Sequence, residues 1–275
     1  MSSANIKDFE EKGYVLVRDV IDAPTVKALR SLLLEEFRRK NINVLNDGIF
    51  FYREIYDVLK SPRLVSVLTE LLGKPFVVPP HSSAMHDTFG AFHSDTTAVE
   101  LEGYSFHKDK EYRMVTVAVY LQDNNEYGGG IRLVPGTHRK PDQYVDLIRE
   151  KNALRARVQK SRLRRLIKRL SRDKLFNWNN LLEEHPDQVN VPSRAGDAVI
   201  WDMRLAHRAS PAQVEGSQHE GGKIGIFFTA GANNAITTKA YMQFVNTLPA
   251  NAHLQKTRTS GHVSAPPSTA DFLVL

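Results

Sequence analysis

The feature that most constrains the fold is a series of short apolar runs, separated by turn residues, along residues 76–231. Runs of this length, continuous or alternating with polar residues, are typical of β-strands. The predicted strands are Phe76–Val78, Met85–Phe92, Arg113–Gln122, Ile131–Val134, Ala198–Asp202 and Lys223–Thr229. Glycine- and proline-rich turns lie between several of them. The pattern predicts a mainly β protein, a sandwich or a barrel, with helices packed outside.

Helical patterns fill the N-terminal part of the chain, residues 5–75. The predicted elements are a helix over Ile6–Lys12, a strand over Tyr14–Val17, a helix from Asp22 to about Lys40 and a helix from Ser61 to Gly73. The last segment, residues 246–275, is rich in Ser, Thr, Pro and Ala. We expect a loop or a loosely docked tail there.

The composition bounds the domain organisation and the location. A chain of 275 residues with 41% hydrophobic content can bury one large core, and we predict a single domain over residues 1–275. Cysteine is absent, which excludes disulfides and thiolate chemistry. The N-terminus carries charges among its apolar residues, and no apolar run is long enough to span a bilayer. We therefore predict a soluble, cytoplasmic protein.

Positive charge is concentrated in one segment, residues 144–176, which interrupts the predicted strands. It contains twelve Lys or Arg and three acidic residues, a net charge of +9, so the rest of the chain carries −3. Its apolar residues have helical spacing: Leu163, Leu166, Ile167 and Leu170. We predict a basic helical insertion into the β core.

Several functions are open for this insertion. It can be a solvated amphipathic helix packed on the β core. It can bind an anionic substrate, such as a thioester of coenzyme A or of a carrier protein, or a phosphorylated sugar or lipid, with Arg164 and Arg165 as candidate contacts. Peripheral contact with an acidic membrane is a third option. Nucleic acid is least favoured, because the segment lacks interleaved aromatic residues.

The strongest chemical signal is the run Phe92-His93-Ser94-Asp95, read together with His207. On an extended strand, His93 and Asp95 project from the same face and offer an imidazole and a carboxylate to one ion. His207 follows a later apolar run and can supply the third ligand. Two histidines and one carboxylate on one face of an ion form the facial triad of non-haem Fe(II) oxygenases. The alternative is a chance strand pair with hydrogen-bonded histidines.

Further motifs give a family resemblance. The opening FEEKGYVLVRDVIDAPTVKALR, the FHSD run, YLQDNNEYGGGIRLVPGTHR, AGDAVIWDMRLAHRAS and KIGIFFTAG occur in this order. Together they resemble the phytanoyl-CoA dioxygenase-like family of Fe(II)/2-oxoglutarate oxygenases. The resemblance implies a double-stranded β-helix (jelly-roll, cupin-like) core over residues 76–231. It implies iron held by His93, Asp95 and His207, with 2-oxoglutarate and O2 as cosubstrates.

The resemblance also indicates where the cosubstrate binds. The family usually places an arginine at the start of the strand after the second histidine ligand, because a guanidinium matches a carboxylate bidentately. This chain has Lys223 at that position. We expect Lys223 to bind the distal carboxylate of 2-oxoglutarate, with Ser210 as an additional contact and Arg204 as the alternative cation. His107 and Tyr104, in the loop after the metal motif, are candidate substrate contacts.

The sequence therefore predicts an Fe(II)/2-oxoglutarate-dependent dioxygenase that hydroxylates an aliphatic carbon of a small-molecule or lipid-like substrate, an anionic one among the options. Succinate and CO2 would be released. Retention of Asp95 favours hydroxylation over halogenation, since halogenating relatives lack this carboxylate. Two alternatives stay open. One is a cupin-like metalloenzyme that uses another divalent metal, and the other is a non-catalytic binding protein that uses the basic helix.

Overall fold

The computed structural model describes residues 4–46, 48–88, 90, 92–124, 128–160, 185–210, 222–247 and 267–275. The α-helices of these ranges are α1 (Ala4–Lys12), α2 (Ala23–Lys40), α3 (Arg53–Leu59), α4 (Pro62–Leu72), α5 (Asp95–Leu101), α6 (Tyr144–Lys160) and α7 (Met242–Thr247). Short 3₁₀ turns lie at Ile49–Phe51, Phe106–Lys108 and Thr137–Arg139, and a π-helical turn at Ile236–Tyr241.

The strands form two sheets. They are β1 (Tyr14–Val17), β2 (Val44–Asn46), β3 (Phe76–Val78), β4 (Ser82–His86), β5 (Met114–Tyr120), β6 (Ile131–Leu133), β7 (Val189–Asn190), β8 (Ala198–Asp202), β9 (His207–Ala209), β10 (Ile224–Gly231) and β11 (Phe272–Val274). The larger sheet has the order β1-β8-β5-β10-β3-β11, and β4 pairs with β10 and β2. The smaller sheet has the order β7-β6-β9. The prediction of a mainly β protein with flanking helices is confirmed.

Helix α2 shows how the N-terminal part is fixed outside the sheets. The side chain of Asp22 accepts a hydrogen bond from the Thr25 amide at 2.9 Å, which caps the helix start. The helix ends at Asn41, whose φ of 52° is left-handed. Its inner face buries Val26, Leu29, Leu33 and Phe37. The apolar spacing seen in the sequence is therefore the face that packs on the core.

The larger sheet buries a different set of side chains on each face, because successive residues of a strand point to opposite sides. One face packs against the helices and carries Val117, Ile200 and Ile226. The other face meets the smaller sheet and carries Ala118, Tyr120, Val199 and Trp201. The two sheets thus enclose an inner space, and one row of inward side chains forms the floor of the candidate site.

Strand ends differ from the predictions at one important place. Most predicted strands are present, with ends identical or shifted by one or two residues. The strand predicted over Met85–Phe92 is wrong beyond His86, where β4 ends. Asp87 has a positive φ of 49°, which takes the backbone out of the extended region. The metal motif therefore does not continue a strand.

The prediction of a loop or loosely docked tail is wrong for the end of the chain. Strand β11 pairs in parallel with β3, and Phe272 lies opposite Phe76 in the register. The Phe272 ring is 1% exposed and stacks on Phe76 with 5.5 Å between the ring centroids. Residues 248–266 of the predicted tail lie outside the described residues.

The basic insertion is described only at its beginning. Helix α6 covers Tyr144–Lys160, in agreement with a helical insertion there. Arg164, Arg165 and the apolar spacing over residues 163–170 lie outside the described residues, so their roles stay predictions. Among the described helices, none combines the length and the apolar character that crossing a membrane requires.

We expect Phe272→Ala to lower the free energy of unfolding by about 3–5 kcal/mol, because it deletes a fully buried ring and leaves a cavity between β3 and α3 residues. Urea denaturation followed by circular dichroism measures the change. Leu273→Ala, at a partly exposed position of the same strand, is the matched control and should cost distinctly less. Equal, small effects of both substitutions would contradict a packed C-terminal strand.

Candidate metal centre

The motif His93-Ser94-Asp95 lies in a turn and a helix start, which corrects the predicted strand geometry. His93 forms an isolated antiparallel bridge with His207, with amide-to-carbonyl distances of 3.0 and 2.8 Å. Ser94 is the N-cap of α5 and shares a capping box with Thr97. Asp95 is the first residue of that helix. The N-terminal cap of α5 thus orients His93 and Asp95, and the alternation of side chains along a strand does not.

The structure nevertheless brings the three predicted ligands together. One candidate ligand atom from each of His93, Asp95 and His207 lies within 4.8 Å of the other two. His207 Nε2 is 3.6 Å from Asp95 Oδ1, and the two imidazole centroids are 4.5 Å apart. The backbone bridge between the histidines explains this closeness, since it joins the turn before α5 to the first residue of β9.

Hydrogen bonds to Asp95 and His207 occupy one atom of each side chain and leave another atom to bind a metal ion. Asp95 Oδ2 accepts hydrogen bonds from Thr116 Oγ1 at 2.6 Å and from Trp201 Nε1 at 3.1 Å, so Oδ1 is the oxygen that faces His207. His207 Nδ1 donates to the Leu205 carbonyl at 2.9 Å, which presents Nε2 on the other side of the ring. Metal-binding histidines and carboxylates commonly have such outer partners. The donor set therefore fits a divalent ion such as Fe(II).

Burial keeps one of these imidazoles neutral. Removal from water lowers the pKa of His207 to about 4, the neighbouring Asp95 carboxylate opposes this shift, and His93 adds to it. A histidine that must coordinate a cation through a ring nitrogen has to be unprotonated. His207 is thus prepared for ligation throughout the neutral range.

The Pro135-Gly136-Thr137-His138 turn supports the same region. Thr137 Oγ1 accepts a hydrogen bond from the Ala206 amide at 2.9 Å and donates to the Val134 carbonyl at 2.7 Å. It thereby fixes the residue before His207. His138 Nε2 donates to the Glu10 carbonyl of α1 at 3.1 Å, so this histidine ties the turn to the N-terminal helix. His138 therefore has a structural partner at this turn and lies outside the group of three ligand candidates.

The candidate metal site lies in a cavity of about 340 Å³ between the two sheets. All three ligand candidates line it, and so does Lys223. Most of the remaining lining residues are apolar or carry hydroxyl groups: Met85, Thr116, Tyr120, Ile131, Trp201, Met203, Phe227, Phe228 and Thr229. The cavity therefore places one buried cation and three potential ligands in a largely apolar surrounding.

Lys223 is held firmly at the start of β10. Its side chain is 8% exposed, and its Nζ donates to the Thr88 carbonyl at 3.2 Å. The backbone amide donates to Asp87 Oδ1 at 2.7 Å. Burial lowers the pKa of Lys223 to about 8, while the Asp87 carboxylate opposes the shift. The Asp87 carboxylate offsets part of the cost of burying this charge, and a bound anion would offset more of it.

The cavity has two distinguishable ends along β10. Lys223 and Thr229 are six residues apart on the same face of the chain, which corresponds to about 20 Å of extended strand. Thr229 lies directly opposite Thr116, which contacts Asp95 and lies opposite Trp201. Beyond Thr229, His81 also lines the cavity, and its Nδ1 is 2.7 Å from the Tyr241 hydroxyl. The Asp95 carboxylate is thus supported at the level of Thr229, away from Lys223.

Other residues nominated from the sequence lie elsewhere. Arg204 pairs bidentately with Asp202, at 2.9 and 2.7 Å, and lies over the Tyr112 ring in a different cleft. This pairing removes the reason for choosing it as the alternative cation. Ser210 is buried, but the lining of the metal cavity reaches only its neighbour Ala209.

Two of the four candidate substrate contacts, His107 and Tyr104, also lie outside this cavity. His107 is buried with its Nε2 3.3 Å from Glu100 Oε2. Tyr104 packs edge-on against Phe244 in a separate apolar cluster. Both side chains therefore have local structural partners. The sequence does not predict the contact between Thr116 and Asp95. The alternation of a strand indicates on which face of the sheet Thr116 lies, but not which residue its hydroxyl group contacts.

Solved structures give the class of fold. HygX from Streptomyces hygroscopicus, crystallised with nickel and 2-oxoglutarate, matches with a TM-score of 0.57 and 16% identity over 85% of this chain and 87% of that chain. EctD from S. alaskensis with bound Fe matches with a TM-score of 0.54 and 16% identity over 84% of this chain and 77% of that chain. The chain has the double-stranded β-helix (jelly-roll) fold of such proteins.

The sequence profile of the phytanoyl-CoA dioxygenase (PhyH) family matches residues 9–219. The chain belongs to this family. An ectoine dioxygenase from Bordetella bronchiseptica is 24% identical over 169 residues, 54% of this chain and 53% of that protein. One from Halomonas elongata is 24% identical over 165 residues, 50% of this chain and 46% of that protein. The chain thus spans about half the length of the curated relatives it matches.

We expect Thr116→Val to weaken Fe(II) binding by about 10–100-fold, because Asp95 Oδ2 loses its shorter hydrogen bond and the carboxylate can rotate. Anaerobic calorimetric titration with Fe(II) measures the affinity. Thr238→Val is the matched control, since its hydroxyl donates to the Asn234 carbonyl, away from the cavity. Unchanged affinity in the Thr116 variant would show that this contact does not orient the ligand.

Proposed function

We propose that the chain is an Fe(II)- and 2-oxoglutarate-dependent oxygenase that hydroxylates an aliphatic carbon of a small molecule. The observation that carries the proposal is the convergence of His93, Asp95 and His207 in a cavity that also contains a buried lysine. Membership of the PhyH family supports it. So do the relatives named ectoine dioxygenase, and solved relatives that contain iron or 2-oxoglutarate.

Each of these residues has a specific task in this function. His93, Asp95 and His207 would hold the iron through nitrogen and oxygen atoms, and Thr116 and Trp201 would keep the Asp95 carboxylate oriented. When bound, the iron supplies the O2-dependent decarboxylation of 2-oxoglutarate to succinate and CO2, coupled to oxidation of a substrate C–H bond. Lys223 would bind the distal carboxylate of 2-oxoglutarate through a charge-assisted hydrogen bond. The apolar walls would keep water away from the reacting atoms.

The substrate would occupy the end of the cavity near Thr229 and His81, because 2-oxoglutarate would take the end near Lys223. A volume of about 340 Å³ is small for a ligand pocket, since such pockets hold roughly 300–1,000 Å³. It admits a small molecule, or only the reacting end of a larger one. Two proteins of the same fold were crystallised with small molecules of this kind, EctD with 5-hydroxyectoine and HygX with hygromycin B.

Turnover of 2-oxoglutarate tests the proposal without a known substrate. The purified protein, loaded anaerobically with Fe(II) and then exposed to O2, should slowly convert 2-oxoglutarate to succinate, and a chelator should abolish this. Asp95→Ala should lose at least about 100-fold in the rate, because the ion loses its carboxylate ligand. Succinate is measured by mass spectrometry.

The matched control is Asp109→Ala, since this exposed aspartate accepts a hydrogen bond from the Glu111 amide within its own turn and does not line the cavity. Its rate should equal that of the wild type. Full cosubstrate binding and turnover in Asp95→Ala would overturn the role of the carboxylate. An anaerobic titration separates the cupin-like alternative, because only an oxygenase should develop the weak visible band of a bidentate 2-oxoglutarate chelate.

Lys223 predicts a specific pH dependence of cosubstrate binding. With its pKa lowered to about 8, the lysine loses its charge as the pH rises through that value, and the carboxylate of 2-oxoglutarate binds the charged form. Affinity should be constant below about pH 7.5 and then fall, approaching tenfold per pH unit above the pKa. Calorimetric titration of the metal-loaded protein between pH 7 and 9 measures this.

Two variants distinguish this from other pH effects. Lys223→Arg stays charged over the whole range, so its affinity should not depend on pH between 7 and 9. Lys223→Met should bind 2-oxoglutarate weakly at every pH, while its affinity for the metal alone stays close to that of the wild type. If the affinity of Lys223→Arg for 2-oxoglutarate also fell between pH 7 and 9, a group other than Lys223 would cause the pH dependence.

A further inference from the structure

Asp142, just before α6, contacts the residue between the two ligands of the metal motif. Its Oδ2 accepts short hydrogen bonds from Ser94 Oγ and from Thr97 Oγ1, the latter at 2.6 Å. Its Oδ1 accepts from the Tyr144 amide at 2.8 Å. One carboxylate therefore links the N-cap of α5 to the start of the basic insertion.

These contacts fix the directions of the hydroxyl groups. Ser94 and Thr97 are each 2% exposed, and their hydroxyl oxygens are 3.1 Å apart. A carboxylate offers only acceptors, so both hydroxyl hydrogens must point at Asp142. Thr97 Oγ1 then remains the acceptor for the Ser94 amide, at 3.2 Å. The capping box that starts the helix at Asp95 thus depends on an acidic residue from outside it.

Other contacts join the same two segments. The Tyr144 ring stacks on Phe92, the residue before His93, with 6.5 Å between centroids and an interplanar angle of 9°. Arg149 Nη2 donates to the carbonyl of Glu100, near the end of α5, at 3.5 Å. The beginning of α6 therefore packs along the metal motif from Phe92 to the end of α5. Asp142 supplies the polar part of this contact.

We propose that Asp142 is a positioning residue of the metal centre. It acts through Ser94 and Thr97, which set the backbone of the turn and hence the relative orientation of His93 and Asp95. This inference rests on the proposed function, because it assumes that these two residues bind the metal. It also assigns a task to the start of the basic insertion: the insertion is anchored at the metal site.

Metal affinity tests this role directly. Asp142→Ala and Asp142→Asn should bind Fe(II) about 10–100-fold more weakly in anaerobic titrations, the range typical for loss of an outer contact to metal ligands. The Asn variant should lose less, because its side-chain oxygen can still accept from the Tyr144 amide. The visible band of the 2-oxoglutarate chelate should need correspondingly more Fe(II). At saturating Fe(II), kcat should recover most of the wild-type value.

Matched variants separate positioning from general destabilisation. Asp146→Asn, at an exposed position in the first turn of α6 with Arg149 as its partner, should bind Fe(II) like the wild type. Ser94→Ala should also weaken Fe(II) binding. The double variant Ser94→Ala/Asp142→Ala should have the same Fe(II) affinity as the single variant that binds less tightly, since both substitutions remove the same contact. A lower Tm of the metal-free protein with unchanged Fe(II) affinity would mean a structural role only.

The experiment also distinguishes this inference from the proposed function. Absence of Fe(II) binding and of succinate formation in the wild type would overturn the function. Wild-type binding together with equal binding by both Asp142 variants would overturn the positioning role alone. If Asp142→Ala does not fold, the isosteric Asp142→Asn and the Ser94→Ala variant still decide the outcome.

Discussion

The site depends first on the way in which the Asp95 carboxylate is held. Two donors, Thr116 and Trp201, share one of its oxygens and leave the other to face His207. Hydrogen bonds to a charged group contribute roughly 1.5–3 kcal/mol each, so rotation of this carboxylate is costly. The same arrangement recurs at His207, where the Leu205 carbonyl selects the nitrogen that remains for the ion. The protein's own hydrogen bonds thus orient two of the three ligand candidates, Asp95 and His207.

The larger sheet supplies this geometry because its inner face carries a continuous row. Trp201, Thr116 and Thr229 are direct cross-strand neighbours on β8, β5 and β10. Facing residues of neighbouring strands lie about 4.5–5.5 Å apart, so the row is a rigid floor. Because the opposite face of the same strands is buried against the N-terminal helices, the register cannot slip by one residue without exposing that core. The helices therefore contribute to the site indirectly.

The sequence predicted the mainly β fold and, through the family resemblance, the three ligand candidates that the structure brings together. It did not predict how they are oriented. The extended backbone expected through His93 and Asp95 fails because Ser94 caps a helix. Asp142, which stabilises that cap, lies 48 residues further along the chain, so no local pattern indicates it. Arg204 was nominated by charge and position, yet Asp202, two residues earlier, pairs with it. The sequence does not predict strand β11, because it has few apolar residues and lies in a polar segment. It forms a strand by pairing with β3, which is distant in the sequence.

The cavity and the basic insertion together bear on the class of substrate. A cavity of about 340 Å³ holds a small molecule, whereas a coenzyme A thioester or a long lipid would leave most of its length outside it. Tyr144 packs on Phe92, so the insertion starts beside the metal motif. Arg149 of the insertion donates to the Glu100 carbonyl, so one of its basic residues contacts the helix that begins at Asp95. An anionic substrate that extends beyond the cavity is therefore one use of this positive charge, and a solvated helix face or contact with an acidic membrane is another.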